Sequence, residues 1–90
     1  MGELRDDQKL SRFEMDEQGL TTYADYRVQG GRMYIDYVFA PPELRGTGAS
    51  GRLMTAVAGE ARSRGLSIVP ICGYAGAWLR RSAEFRDLVA

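Results

Sequence analysis

The sequence has no histidine and only one cysteine, Cys72. Histidine is the one side chain whose ordinary pKa lies between pH 5 and 8, so proton transfer near neutral pH must use tyrosine, cysteine, a carboxylate or water. The same lack removes the Cys/His clusters on which transition-metal sites depend, and we therefore predict no metal site. A single thiol also cannot form an internal disulfide.

The sequence also lacks an excess of charge and a long apolar run. Twelve basic and twelve acidic residues give a formal net charge of zero, whereas nucleic-acid-binding domains usually carry a surplus of Lys and Arg. No apolar run approaches the roughly 18 residues of a membrane span. The N-terminal run MGELRDDQKLSR has no signal-peptide core. With the lone cysteine, these features predict no nucleic-acid partner, no membrane association and a cytoplasmic location.

The chain is short enough for one domain only. At 90 residues and 10.0 kDa it lies near the lower size at which a chain folds alone. Its hydrophobic content of 44% is ordinary for a globular protein. We predict a flexible tail over residues 1–10 and a single domain over residues 11–90.

The first half of the chain has the patterns of three β-strands. Residues 12–16 alternate between apolar and charged side chains, and residues 20–28 and 33–39 are rich in β-branched and aromatic side chains. Gly30 and Gly31 lie between the last two strands and favour a hairpin turn, because glycine accepts positive φ. The three strands should therefore form an antiparallel meander.

The second half alternates helix and strand. Apolar positions at helical spacing predict a helix over about residues 50–64, and the apolar residues 66–72 predict a strand, with Pro70 favouring a sheet edge or a bulge. A second helix is expected over residues 74–81, followed by one or two turns over residues 83–89. The predicted fold is α+β in the order βββαβα, with a crossover helix to a parallel strand.

The glycine-rich stretch ELRGTGASGRLM, residues 43–54, lies at the junction of the third strand and the first helix. Free backbone N–H groups and the helix dipole favour anions at such a junction. The spacing Gly46-x-Gly48-x-x-Gly51 matches a dinucleotide-binding fingerprint, which also needs an acidic residue about 20 positions later. Residues 66–72 contain no acid, so we set that interpretation aside.

The same stretch nearly matches a nucleotide-binding P-loop. Arg52, however, stands where that motif needs a lysine, and Leu53 stands where it needs a hydroxyl for Mg²⁺. Without the metal ligand, ATP hydrolysis is not expected. Arginines 45 and 52 flank the proposed anion site, and arginine suits bidentate contact with phosphate.

A third pattern, Arg45-x-x-Gly48-x-Ser50, resembles the R/Q-x-x-G-x-G/A loop with which GNAT acetyltransferases hold the pyrophosphate of acetyl-CoA, with Ser50 in place of Gly or Ala. The runs APPELRGTGASGRLM and ARSRGLSIVPICGYAGAWLRRSAEFRDLVA resemble the small single-domain GNAT-like N-acetyltransferase family over nearly the whole chain. Members of that family usually carry histidine at the position of Tyr37 and His-Pro at Ser82-Ala83, so no role of those histidines transfers to this chain.

The resemblance implies a GNAT-like fold, acetyl-CoA as the cofactor and an amine acceptor that the sequence does not identify. The pantetheine arm is expected along the end of the third strand, and the pyrophosphate on the glycine loop. The residues expected to bind acetyl-CoA are Val38, Phe39, Ala40, Arg45, Gly46, Thr47, Gly48, Ala49, Ser50, Gly51 and Arg52. The chain is expected to be a monomer or a weak dimer.

Two functions remain open at this point. In the first, the chain is an N-acetyltransferase, with Cys72 as its candidate nucleophile and Tyr34, Tyr37 and Tyr74 as candidate acids or pocket residues. A lone cysteine at a strand end is most often a small buried hydrophobe, and it is the resemblance, which places a cysteine here, that makes a catalytic role an equal alternative. In the second, the chain is a non-catalytic CoA-binding or interaction module that keeps only the fold.

Overall fold

The structure, a computed structural model, describes residues 3–90. Over these residues the chain forms one mixed sheet in the order β1-β2-β3-β4-β5, in which β1 to β4 are antiparallel and β4 and β5 are parallel. The elements are β1 (Arg5–Asp7), β2 (Arg12–Glu17), β3 (Leu20–Gln29), β4 (Arg32–Phe39), α1 (Ala49–Ser63), β5 (Ser67–Pro70) and α2 (Gly73–Arg81). Short 3₁₀ turns at Pro42–Leu44 and Arg86–Leu88 complete the fold. The predicted α+β class, the meander and the crossover helix are confirmed.

Both helices pack against the same face of the sheet. Alternate strand residues supply one side of the core, and the apolar positions of α1 and α2 supply the other, because side chains alternate across a strand and recur every three or four residues in a helix. The fully buried members include Phe13, Met33, Ile35, Leu53, Met54, Val57, Ile68 and Leu79. One continuous core thus joins α1 and α2 to the sheet.

The other face of the sheet carries charged and aromatic side chains. Arg12 pairs with Asp25 at 3.1 Å and lies over the Tyr23 ring, 3.8 Å from its centre. Arg27 pairs with Asp36 at 2.9 Å and lies over the Tyr34 ring. These arginines partly cover the aromatic rings and neutralise the carboxylates beside them.

The first strand is the main difference from the fold that the sequence predicts. Residues 5–7 were expected within a flexible tail, but they form β1, which pairs with β2 in the register Arg5↔Glu14. Ion pairs hold the segment, from Arg5 to Glu14 and Asp16 and from Asp6 to Arg64. No local pattern in the sequence signals such contacts. Met1 and Gly2 of the predicted tail lie outside the described residues, and the boundary at residue 11 stays a prediction.

The pairing of β4 changes halfway along the strand, which shapes the region next to the glycine loop. A bulge leaves Asp36 as an extra residue, since Tyr26 pairs with Ile35 and Asp25 with Tyr37. Strand β5 ends at Pro70, opposite Ile35, at the edge of the sheet. Among the described residues, the last part of β4 (residues 36–39) therefore has only β3 as a strand partner, and its other edge is open.

No helix in the described part of the chain combines the length and the apolar character needed to cross a membrane.

Candidate functional site

The loop between β4 and α1 is compact and held by its own hydrogen bonds. The Arg45 Nε donates to the carbonyl oxygen of Ala40 at 2.9 Å, and the Thr47 Oγ1 donates to the carbonyl oxygen of Leu44 at 2.6 Å. Gly46 and Gly48 adopt φ values of 82° and 87°, a region that glycine enters without the strain that a Cβ would cause. Two of the three glycines are thus required by the backbone conformation.

The first turn of α1 presents free N–H groups at the end of this loop. Gly48 is the N-cap residue, no side chain caps the helix, and no acidic residue lies in its first turn. The N–H of Arg52 bonds to the carbonyl oxygen of Gly48 at 3.0 Å, as the first bond within the helix. The N–H groups of Ala49, Ser50 and Gly51 precede it and are the donors that a helix start leaves without intrahelical partners. Together with the helix dipole, they favour an anion at this end.

A surface cavity of about 280 Å³ joins the loop to the start of α2. Its lining consists of Leu44, Arg45, Gly46, Gly48, Ala49, Ser50, Gly51 and Tyr74. Six of the residues predicted to bind acetyl-CoA are thus brought together in one concave site. A second cavity of about 440 Å³, lined by Tyr26, Arg27 and Arg64 among others, contains no residue of the loop.

The predicted residues at the end of β4 have their side chains engaged elsewhere. The Phe39 ring stacks on Tyr23 with ring centres 5.1 Å apart, Val38 packs against the core, and Ala40 is buried. On its unpaired edge, this segment therefore presents backbone N–H and C=O groups rather than side chains. That arrangement fits an extended ligand that runs along the strand.

The two arginines that flank the loop are placed differently. Arg45 lines the cavity, and within the described part of the chain no carboxylate pairs with it. Arg52 forms a two-pronged ion pair with Glu17, from Nε to Oε2 at 2.9 Å and from Nη2 to Oε1 at 2.7 Å. Hydrogen bonding to Arg52 holds the pKa of Glu17 below its usual value. Among the described residues, Arg45 is thus a cation at the cavity that no carboxylate pairs with, whereas the charge of Arg52 is compensated.

Cys72 and Tyr74 lie at the start of α2, next to the loop. Cys72 is half-buried, packs against the core, and donates its N–H to the carbonyl oxygen of Ile35 at 3.0 Å. Burial raises the pKa of the Tyr74 hydroxyl above its usual value, while nearby Arg81 opposes this shift and Cys72 adds to it. Tyr74 thus keeps its proton at neutral pH and can act as a donor.

The structure distinguishes the three tyrosines that the sequence left equivalent. Tyr74 lines the cavity, whereas Tyr34 lies under Arg27 and Tyr37 lies near Tyr23 on the opposite face of the sheet. The sequence analysis gave no role to Glu17, the last residue of β2. Glu17 contacts Arg52 from 35 positions away, and no local motif could have revealed that pair.

Comparisons with known proteins address the family and the fold of the chain. The family model for GCN5-related N-acetyl-transferases matches residues 12–88. The solution structure of a GCN5-like protein from Staphylococcus aureus, itself proposed to be an N-acetyltransferase, superimposes with a TM-score of 0.75 at 26% sequence identity. The match covers 98% of this chain and 87% of that chain. No curated protein sequence matches.

This chain belongs to the GCN5-related N-acetyltransferase family. The resemblance in the sequence and the predicted α+β fold are both confirmed.

Proposed function

We propose that the chain binds acetyl-CoA in the cavity between the glycine loop and α2 and transfers the acetyl group to an amine. One observation carries this proposal. The residues that carry the uncapped N–H groups of α1, the cation Arg45 and the protonated Tyr74 line the same cavity. The start of α2, where Tyr74 lies, is joined to β4 by the hydrogen bond from the Cys72 N–H to the carbonyl oxygen of Ile35. An acyl carrier suits these features, with its pyrophosphate at the N–H groups and Arg45, its amide arm along the open edge of β4 and its thioester at Tyr74.

The loop would hold the anionic part of the ligand. The N–H groups of Ala49, Ser50 and Gly51 would donate to the pyrophosphate, and Arg45 would add a positive charge that no carboxylate cancels within the described residues. Two further arginines, Arg80 and Arg81, lie in the last turn of α2 and are candidates for the 3′-phosphate. The open backbone edge of residues 36–39 would receive the pantetheine amides as a strand receives a neighbour.

Tyr74 lines the cavity with a hydroxyl that can donate a proton. When bound, acetyl-CoA supplies a thioester that an amine can attack. The Tyr74 Oη stays protonated at neutral pH and can donate its proton to a leaving sulfur. Cys72 offers a second route, in which its Sγ accepts the acetyl group by thioester exchange and an amine then takes that group and releases the thiol.

The competing hypothesis is a module that binds CoA without catalysis. It is favoured by the absence, among the described residues that line the cavity, of a side chain that takes up a proton near neutral pH, since Tyr74 is a donor and Arg45 is a cation. Tyr74→Phe separates the two hypotheses. An enzyme should lose turnover with little change in the acetyl-CoA dissociation constant, whereas a module has no turnover to lose.

Calorimetric titration with acetyl-CoA, CoA and ATP in parallel tests the binding proposal. We expect acetyl-CoA and CoA to bind with similar affinity, because the phosphates and the pantetheine arm make most of the contacts, and ATP to bind more weakly. Heat from none of the three at millimolar concentration, or tighter binding of ATP than of CoA, would contradict the proposal. The cytoplasmic location, the monomer or weak dimer, and the lack of a nucleic-acid partner stay predictions.

A further inference from the structure

Glu17, the last residue of β2, and Arg52, in the first turn of α1, form an ion pair next to the glycine loop. The Glu17 side chain is 10% exposed and the Arg52 side chain 37% exposed, so the pair is partly buried between the end of β2 and the first turn of α1. Both carboxylate oxygens accept from the same edge of the guanidinium, through Nε and Nη2. This two-pronged arrangement fixes the orientation of the guanidinium as well as its position.

The remaining nitrogen of Arg52 lies against Gly48. A Cβ built on Gly48 would lie 3.0 Å from Nη1 of Arg52, closer than ordinary van der Waals contact. The guanidinium therefore borders the position that a Cβ at residue 48 would take and would have to move by a few tenths of an ångström to admit it. Arg52 is not among the residues that line the cavity, whereas Gly48 is. The arginine thus lies close to Gly48 without lining the cavity.

We propose that Glu17 and Arg52 are positioning residues for the acetyl-CoA loop, and that Arg52 acts by holding Gly48 and the first turn of α1 rather than by contacting phosphate. The sequence analysis placed Arg52 among the residues that bind the cofactor. The inference rests on the proposed function for its ligand, but the contact between Arg52 and Gly48 exists in the free protein. It can thus be tested with and without CoA.

The roles of positioning residue and phosphate ligand predict opposite effects of one substitution. Glu17→Gln removes the negative charge that compensates Arg52 and does not change the arginine residue itself. If Arg52 bound phosphate directly, its uncompensated charge would attract CoA more strongly, and affinity would rise. If the pair positions the loop, the loss of the two-pronged contact lets the guanidinium move, and affinity falls.

The experiment compares the parent with Glu17→Gln, Arg52→Lys and the double variant. Arg52→Lys keeps the positive charge, but lysine has a single side-chain nitrogen and cannot form the two-pronged contact with Glu17. Arg62 and Asp87 form a second two-pronged pair at the other end of α1, at 2.9 and 3.3 Å, and Asp87→Asn serves as the matched control. Dissociation constants for CoA are measured by calorimetry, the backbone amides of residues 46–51 by NMR without ligand, and global stability by urea unfolding.

We expect Glu17→Gln and Arg52→Lys each to weaken CoA binding about tenfold or more, the loss that follows when a supporting partner of a binding group is removed. The double variant should be no weaker than the poorer single variant, because both substitutions break one interaction. In the free protein, both single variants should shift the amide signals from Gly46 to Gly51. The control Asp87→Asn should leave these signals and the affinity unchanged.

Three results would overturn the proposal. One is tighter CoA binding by Glu17→Gln. Another is unchanged amide signals of residues 46–51 in both single variants. The third is an equal loss of affinity in Asp87→Asn, which would indicate a general effect of stability. If the parent does not bind CoA, the proposed function fails, and the amide signals of the free protein still decide whether the pair positions the loop.

Discussion

Replacing Gly48 by alanine separates the two reasons for a glycine at this position. The first is conformational, because φ is 87° and a Cβ strains this region by about 1 kcal/mol. The second is space, because the new Cβ would lie 3.0 Å from Nη1 of Arg52 and the side chain must give way by a few tenths of an ångström. Gly65→Ala is the matched control, since Gly65 has φ of 70° at the other end of α1 and open space around its Cβ position.

Both variants should lose similar stability, about 1 kcal/mol, which lowers the melting temperature by about 4–8 °C in a domain of this size. Only Gly48→Ala should also weaken CoA binding, because its new Cβ alone displaces the guanidinium of Arg52 from its place next to Gly48. Urea unfolding measures the first effect, and calorimetry on the folded proteins measures the second. The reasoning is refuted if Gly65→Ala weakens CoA binding as much as Gly48→Ala, or if Gly48→Ala is as stable as the parent and binds CoA equally well.

Other changes test further parts of the structure. Gly59→Ala should stabilise the protein by about 0.8–1 kcal/mol in thermal unfolding, because alanine favours a helix interior and its Cβ has open space; a lower melting temperature would contradict this. Arginine partners lower the pKa of Asp16, Glu17 and Asp87. Stability in urea should therefore be retained above about pH 4.5 and fall as these groups protonate below it; constant stability down to pH 3 would contradict the ion pairs. If Cys72 accepts acetyl, intact mass measurement after incubation with acetyl-CoA should show a hydroxylamine-sensitive adduct that Cys72→Ala and Cys72→Ser lack. An unmodified parent excludes that route.

Sequence patterns over a few neighbouring residues predicted the strands, the hairpin turn and the first helix. Alternation in residues 12–16, the glycine pair Gly30–Gly31 and the helical spacing after Ser50 each correspond to an observed element, within one or two residues at most of the ends. Pro70 was expected at a sheet edge or a bulge and lies at the edge. These predictions succeed because period and turn chemistry act over a few neighbouring residues.

The sequence could not predict features that depend on distant contacts. Strand β1 is too short and too polar to show a pattern, and its ion pairs reach as far as Arg64. Glu17 and Arg52 are 35 positions apart. The sequence showed three glycines in one loop but gave no means of separating their roles, whereas the structure assigns Gly46 and Gly48 to positive φ and leaves Gly51 inside a regular helix.

The central claim is that acetyl-CoA binds between the glycine loop and the start of α2. The most direct test is a titration of the ¹⁵N-labelled protein with acetyl-CoA, followed through its backbone amides. The account predicts that the largest shifts cluster over residues 36–53 and around Tyr74, with residues at the far end of the sheet unmoved. Absence of shifts at millimolar acetyl-CoA, or shifts centred on the cavity near Tyr26 and Arg64, would contradict it.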